Sequence, residues 1–341
     1  MTMAEDKKAA EELSAAEVAK AKAEIQEGAE DEFVDAVEDG KEKTFEVTSE
    51  ELSVIRAELA CEFPDDYNYL SDDYVLSVAS KPYSKDMTKR RPLEYTMEKL
   101  SHVMEWREES GAVSMRDMLD LANGPDTATE AVENPDRFTK AKALATSLNY
   151  GAMYWHGIDT EGRPVLWIRC GRMPWYPDVE AQVNALILLA DTGIKCMPKG
   201  VTDFVVISDS NSPPPPNPQF MINVLKALVR GYPDRLALLI SAPVGSIIQF
   251  IMKLLIPLMP GRLASKLVLA DAEEGKKKIQ EILLNGEDDV PTFMGGTCNH
   301  DELYPTEGYC PNRGQGNLKF DFYGMEERLQ KVIQEYTGNK E

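Results

Sequence analysis

The sequence predicts an α/β protein: a mixed, mostly parallel sheet joined by crossover helices, preceded by a small all-helical domain. Three observations carry that expectation. Apolar runs of strand length alternate with amphipathic helical patterns from residue 165 to residue 284, the order in which a sheet with crossover helices is built. Two of the runs, Phe204-Val205-Val206-Ile207 and Leu236-Ala237-Leu238-Leu239-Ile240, are apolar without alternation, as strands buried on both faces are. Residues 49–122 show only helical periodicity, punctuated by capping residues.

A chain of 341 residues with 43% hydrophobic content can bury one sizeable core with appendages, or two domains. Its formal net charge of −21 argues against a nucleic-acid binder, which needs a clustered basic surface to neutralise phosphates. The charge is uneven: residues 1–51 hold 17 Asp and Glu against 6 Lys, or −11, which leaves −10 for the rest. Five cysteines, Cys61, Cys170, Cys196, Cys298 and Cys310, form no CxxC pair, so reduced thiols and a cytoplasmic setting are expected. The N-terminus has no apolar signal core, and Thr2 stands where myristoylation needs glycine, so membrane contact is expected to be peripheral and reversible.

Residues 1–48 are rich in Ala, Glu and Lys and poor in aromatics, which predicts a disordered acidic tail with nascent helix at 9–25. Ser49-Glu50-Glu51 opens a helical domain at 49–122, with Ser49 as N-cap and Leu52, Ile55 and Leu59 on the apolar side. Ser71-Asp72-Asp73 starts a second helix that stops before Pro82, and a third covers 92–109. Between them, residues 81–91 are the densest basic stretch, either solvated surface or a patch for anionic headgroups. A short helix at 115–121 ends in Asn123-Gly124-Pro125-Asp126, and 123–149 reads as a linker to about Pro135 followed by a helix at 137–148.

The compact region is expected at 150–297. A turn through Gly162 feeds a strand at 165–168, with Pro164 at its first residue, and a helix at 178–190 leads to the central strand at 204–207. The next helix has Asn217 as N-cap, Pro218 at its first position and Gly231 past its end. It delivers the chain to the strand at 236–240. A strand at 265–269 and a helix at 273–284 follow, and the 298–341 tail ends in a helix at 323–336 that packs on the body or recruits a partner.

Between Val244 and Met259 the strongly polar residues are Ser246, Gln249 and Lys253, spaced so that a helix places them on one narrow stripe. Sixteen residues bracketed by Pro243, Pro257 and Pro260 are too short to span a bilayer, which takes about 20. Composition fits either a buried core helix or a helix with one greasy face over a pocket and another toward a membrane.

Seven motifs now stand in one order: Asp159-Thr160-Glu161-Gly162-Arg163-Pro164-Val165, Ser208-Asp209, Tyr232-Pro233-Asp234-Arg235, Ser241-Ala242-Pro243, the greasy helix, Ser265-Lys266, and Val290-Pro291-Thr292-Phe293-Met294-Gly295-Gly296. In that order and spacing, over about 150–297, they resemble the CRAL-TRIO family of lipid-binding and lipid-transfer proteins. The resemblance implies a sheet flooring a hydrophobic pocket that holds one phospholipid or other hydrophobic amphiphile, with 244–259 as a gate that opens at a membrane surface. It implies a monomeric carrier with no catalytic residues, no metal and no cofactor beyond the bound lipid. The pocket wall would include Phe204, Val206, Leu238 and Ile240; the gate side would include Ile247, Phe250, Ile251, Leu254, Leu255 and Leu258.

The phosphatidylinositol-transfer members of the family use the acid of a Tyr-Pro-Glu-Arg motif and a lysine after the gate at the headgroup. The matching positions are Asp234 and Lys266, with Arg262 as a further cation, and a threonine of the pattern is Leu263 here. Phe204 and Val206 stand where the choline-lipid signature has a serine and a threonine, which makes phosphatidylcholine an unfavoured ligand. The same fold also serves as a membrane-targeting or regulatory module without net transfer.

Enzyme signatures are missing: the chain has no GxSxG, HExxH or P-loop pattern, and its histidines, His102, His156 and His300, lie in separate segments. Cys298, His300 and Cys310 match no standard zinc spacing, so no metal site is expected.

Overall fold

The computed structural model describes residues 22, 23, 25, 44–83, 86–124, 127–259, 261–304 and 320–338. The first helix, α1 (Ser49–Glu62), is capped by Thr48, one residue before the expected Ser49. The Thr48 hydroxyl accepts from Glu51 N–H while the Glu51 carboxylate accepts from Thr48 N–H, a reciprocal box that Ser49 cannot make with the residue three positions on. Helix α2 (Asp72–Ala79) is capped by Ser71, and α3 (Leu93–Ser110) ends on Gly111 at φ +70°. Ile55, Leu59, Leu70, Tyr74, Leu100 and Met104 form the core they share.

The basic run between α2 and α3 folds into a hairpin, β1 (Pro82–Tyr83) and β2 (Asp86–Arg90), rather than a loose cationic strip. Several of its cations are tied into the fold: Lys89 pairs with Asp86 at 2.9 Å, Arg90 with Glu51, and Lys81 with Asp234 at 2.6 Å. A second helical layer comprises α4 (Met115–Asn123), α5 (Thr127–Glu133) and α6 (Pro135–Asn149). The expected linker before Pro135 therefore contains a helix, since its Thr-Ala-Thr-Glu-Ala-Val-Glu run has no helix breaker.

The main sheet holds β3 (Met153–Ile158), β4 (Pro164–Arg169), β5 (Phe204–Asp209), β6 (Leu236–Ala242) and β7 (Leu267–Leu269), in that spatial order. β3 pairs antiparallel with β4 and every other pair is parallel, so the sheet is mixed and mostly parallel as expected. Strand β3 has no aliphatic run to announce it, yet its Tyr154 and Trp155 are strand-favouring aromatics.

Three crossovers step across the sheet in one direction: α7 (Val179–Cys196), α8 (Pro218–Lys226) with its π-helical turn Ala227–Gly231, and α9 (Ser246–Leu255). Right-handed crossovers taken in one direction place all three helices on one face. Close approach fixes α7 there: Trp155 Nε1–H donates to Leu189 O at 2.7 Å, and a Cβ on Gly193 would fall 2.1 Å from the Trp155 ring.

Past the short α10 (Gly261–Ser265) and β7, helix α11 (Ala272–Ile282) covers the opposite face, where Gly275 lets it close onto Ala242. A one-turn helix, α12 (His300–Leu303), lies on that side, and the terminal α13 (Phe322–Gly338) runs along the outer edge of β3 and also contacts α7. α13 packs on the body through Met325, Leu329 and Ile333, and Met325 Sδ accepts from Trp155 N–H at 3.3 Å. Among the described residues no helix is long and apolar enough to cross a membrane.

Ile25 departs from the expected solvated tail. It is completely buried against Ile222, Leu225 and Val229 on α8 and its π turn, and against Leu258 beyond α9. An isolated branched aliphatic in an acidic segment gains by entering an apolar groove that composition alone does not disclose.

Candidate functional site

The register between β5 and β6 sorts the predicted pocket residues by face. Val206 lies opposite Leu239 and Ser208 opposite Ser241, whereas Val205 faces Leu238 and Ile207 faces Ile240. Side chains alternate across a strand, so Phe204, Val206, Leu239 and Ser241 share the face under α7, α8 and α9. Leu238 and Ile240 sit with Ala242 on the α11 face, a correction to their expected place in the pocket wall. An unpunctuated apolar strand carries no signal of which alternate residues face which side.

Phe204 and Val206 are on the helix-covered face, but packing already occupies Phe204. It is 2% exposed, with its ring edge-on to Trp155 at 5.5 Å. The apolar wall that stays open is on β6. Leu239 is only half-buried although it is paired on each side, with Val206 and Leu267; Ala237 and Leu238, at the bulge against β5 and beyond the end of β7, are half-buried as well. In a close-packed protein such interior positions are sealed by the helix above them.

That helix is α9. Its polar residues Ser246, Gln249 and Lys253 are all exposed on one stripe, while Ile247, Phe250, Ile251 and Leu255 are half-buried and Ile248 is buried. At its C-terminal end α9 runs directly into a 3₁₀ continuation, Ile256–Leu258. Leu258 anchors the far end in the cluster with Ile222, Leu225, Val229 and Ile25, while Ile256 remains 44% exposed. The side chains of Leu254 and Arg262 lie outside the described residues.

At the carboxyl ends of β5 and β6 the same face turns polar. Ser210 Oγ lies 2.7 Å from Ser241 Oγ and 3.2 Å from Ser208 Oγ, which in turn is 3.5 Å from Cys170 Sγ. All three serines are buried, and burial pushes the Cys170 thiol above its usual range. These hydroxyls were not among the predicted site residues. The readable signal was a serine ending each apolar strand, in the crevice where open parallel sheets bind ligands.

The predicted headgroup charges are used otherwise. Asp234, at φ +59°, accepts from Lys81 Nζ at 2.6 Å, and Lys266 Nζ donates to Leu236 O at 2.6 Å, so the two do not pair. Burial favours the neutral acid, but the fields of Lys81, Lys99 and Lys266 outweigh it and hold the Asp234 carboxyl far below the usual range. The whole motif faces the helical layer. Tyr232 stacks edge-on to Trp106 at 5.5 Å, Tyr74 O–H donates to Pro233 O at 2.9 Å, and the Arg235 guanidinium lies 3.5 Å from the centre of the Tyr74 ring.

The structure also gathers His156, Cys298 and His300, with one donor atom of each within 4.8 Å of the others. The sequence offered Cys298, His300 and Cys310. Cys310 lies outside the described residues, and His156 could not be foreseen because β3 is 142 residues from Cys298. Burial keeps both imidazoles neutral, lowering His156 to about 4 and His300 to about 2. Two clefts with fully described linings lie elsewhere, one beside Phe320 and Phe322 and one of about 620 Å³ beside Tyr69 and Asp191, and neither touches α9.

Residues 148–296 match the family model described as the CRAL/TRIO domain. Among solved structures, the chain is similar to one titled "Crystal structure of Sfh5", at 12% identity and a TM-score of 0.40, covering 84% of this chain and 99% of that one. No curated protein matches the chain.

Proposed function

The chain belongs to the CRAL/TRIO family of lipid-binding and lipid-transfer proteins through residues 148–296, and on that premise we propose that it holds one lipid between β6 and α9 and exchanges it at membrane surfaces. The observation that supports this reading is that two apolar surfaces are left half-buried, Leu239 in the interior of the sheet and Ile247, Phe250, Ile251 and Leu255 on α9. An acyl or isoprenoid chain gains about 0.8 kcal/mol per CH₂ on leaving water, so an apolar floor under an apolar lid is the chemistry a carrier needs. The exposed Ser246–Gln249–Lys253 stripe, with exposed Ile256 and Pro257 beyond it, suits a lid that lies in a membrane interface while open. The protein acts as a monomeric, cytoplasmic, peripheral carrier and not as an enzyme.

The polar end of the ligand points toward Ser208, Ser210 and Ser241, whose hydroxyls serve a hydroxyl or carbonyl group better than a phosphate. A phosphoinositide head at Asp234, Lys266 and Arg262 is disfavoured, because Asp234 is engaged by Lys81. Native mass spectrometry after incubation with mixed-lipid vesicles tests the proposal, with one lipid per protein as the expected result. Binding without movement of lipid between donor and acceptor vesicles selects the targeting module. A protein that stays empty in every mixture overturns the reading.

A further inference from the structure

On the sheet face away from α9, three donor side chains converge from distant segments. His156 comes from β3, Cys298 from the turn after Gly295-Gly296, and His300 from the first residue of α12. Cys298 Sγ and His156 Nε2 are 3.6 Å apart. Two ligands of one tetrahedral zinc, with Zn–S about 2.3 Å and Zn–N about 2.0–2.1 Å, sit at nearly that separation. The two imidazoles are neighbours as well, their ring centres 4.2 Å apart.

Both rings are held through Nδ1 by tyrosine hydroxyls. Tyr154 Oη lies 3.0 Å from His300 Nδ1 and Tyr304 Oη 3.4 Å from His156 Nδ1. The Tyr304 proton is already donated to Trp155 O at 2.8 Å, so toward His156 that oxygen can only accept. His156 therefore carries its proton on Nδ1 and turns the Nε2 lone pair toward Cys298. This is the outer-shell arrangement that orients metal-binding histidines.

A second observation points to a ligand. His300 is fully buried, and its Nε2 has no hydrogen-bond partner. A buried polar atom left unpaired is costly and rare, and a metal ion would satisfy it. The nearby guanidiniums of Arg169 and Arg172 are both paired with Asp301.

We propose that His156 Nε2, His300 Nε2 and Cys298 Sγ bind one borderline-soft divalent ion of the zinc class. The Cys298 thiol releases its proton to solvent on binding, and water fills the fourth position on the half-exposed side of the site. A thiolate with two imidazoles selects zinc-class ions over calcium or magnesium. The ion pins the segment after Gly296 to β3, on the face opposite the proposed lipid cavity, so it stands apart from the lipid reading.

Cobalt(II) titration of the chelator-treated full-length chain tests this. One equivalent is expected to give a thiolate-to-cobalt charge-transfer band in the near ultraviolet and intense tetrahedral bands in the visible, all erased by zinc. Cys298→Ser should lose the charge-transfer band and His300→Ala should weaken binding at least tenfold, while Cys61→Ser should leave both unchanged. Zinc should also raise the melting temperature of the parent chain but not of His300→Ala, with circular dichroism verifying that each variant is folded. No uptake of cobalt or zinc at hundredfold excess, or an unchanged charge-transfer band in Cys298→Ser, overturns the proposal.

Discussion

Replacing Asp234 with Asn separates a structural role from a headgroup role for the family motif. Asn keeps the shape and tolerates the φ of +59°, so only the charge is removed. The Lys81 and Asp234 side chains are 10% and 13% exposed, and at 2.6 Å with an effective dielectric near 20 their attraction is about 6 kcal/mol before desolvation is subtracted. Breaking such a buried pair from one side typically costs about 3–5 kcal/mol. Lys99 and Lys266 also act on this site, so Asp234→Asn leaves Lys81 among cations and should fall at the upper end. Equilibrium urea denaturation of Asp234→Asn, Lys81→Met and the double variant measures the effect. The double variant should lose about 2 kcal/mol less than the two single losses added together. Asp234→Asn costing under about 1 kcal/mol, or strict additivity, would refute the ion-pair argument. Vesicle binding by the folded Asp234→Asn chain should match the parent.

The same pair predicts a pH dependence. Its carboxyl is held below the ordinary 3.8, so its contribution is complete above that value and is lost as the pH falls through the depressed one; Asp234→Asn should flatten the acid limb of the stability curve. Lys253→Glu reverses a charge on the exposed stripe of α9, and at about 1 kcal/mol per charge near an anionic surface it should weaken binding to phosphatidylserine vesicles roughly 30-fold. Unchanged vesicle binding would remove that stripe from the membrane face. If α9 is the lid of the proposed carrier, Ile25→Asp should free its Leu258 end from the apolar cluster and speed lipid exchange between vesicles, and an unaltered exchange rate would show that Ile25 does not restrain it. Gly231→Ala would put a Cβ 2.1 Å from the Trp106 ring, and should cost about 1–3 kcal/mol in urea melts without altering lipid chemistry.

By itself, the sequence determined the parallel strands, because buried β5 and β6 are unbroken apolar runs, and the start of α8, whose cap Asn217 is followed by a proline at the first helical position. It also determined the one-sided polarity of α9, whose three polar residues share a helical stripe whatever they face. Only the tertiary structure decided which sheet face each residue of β6 serves, since strand register sets parity and an all-apolar strand encodes no preference. The partners of Asp234, the burial of Ile25, the Ser208–Ser210–Ser241 hydroxyls and the His156–Cys298–His300 cluster were decided there as well. Each joins segments far apart in the chain, and contact between distant segments follows from how layers pack, which local pattern does not carry.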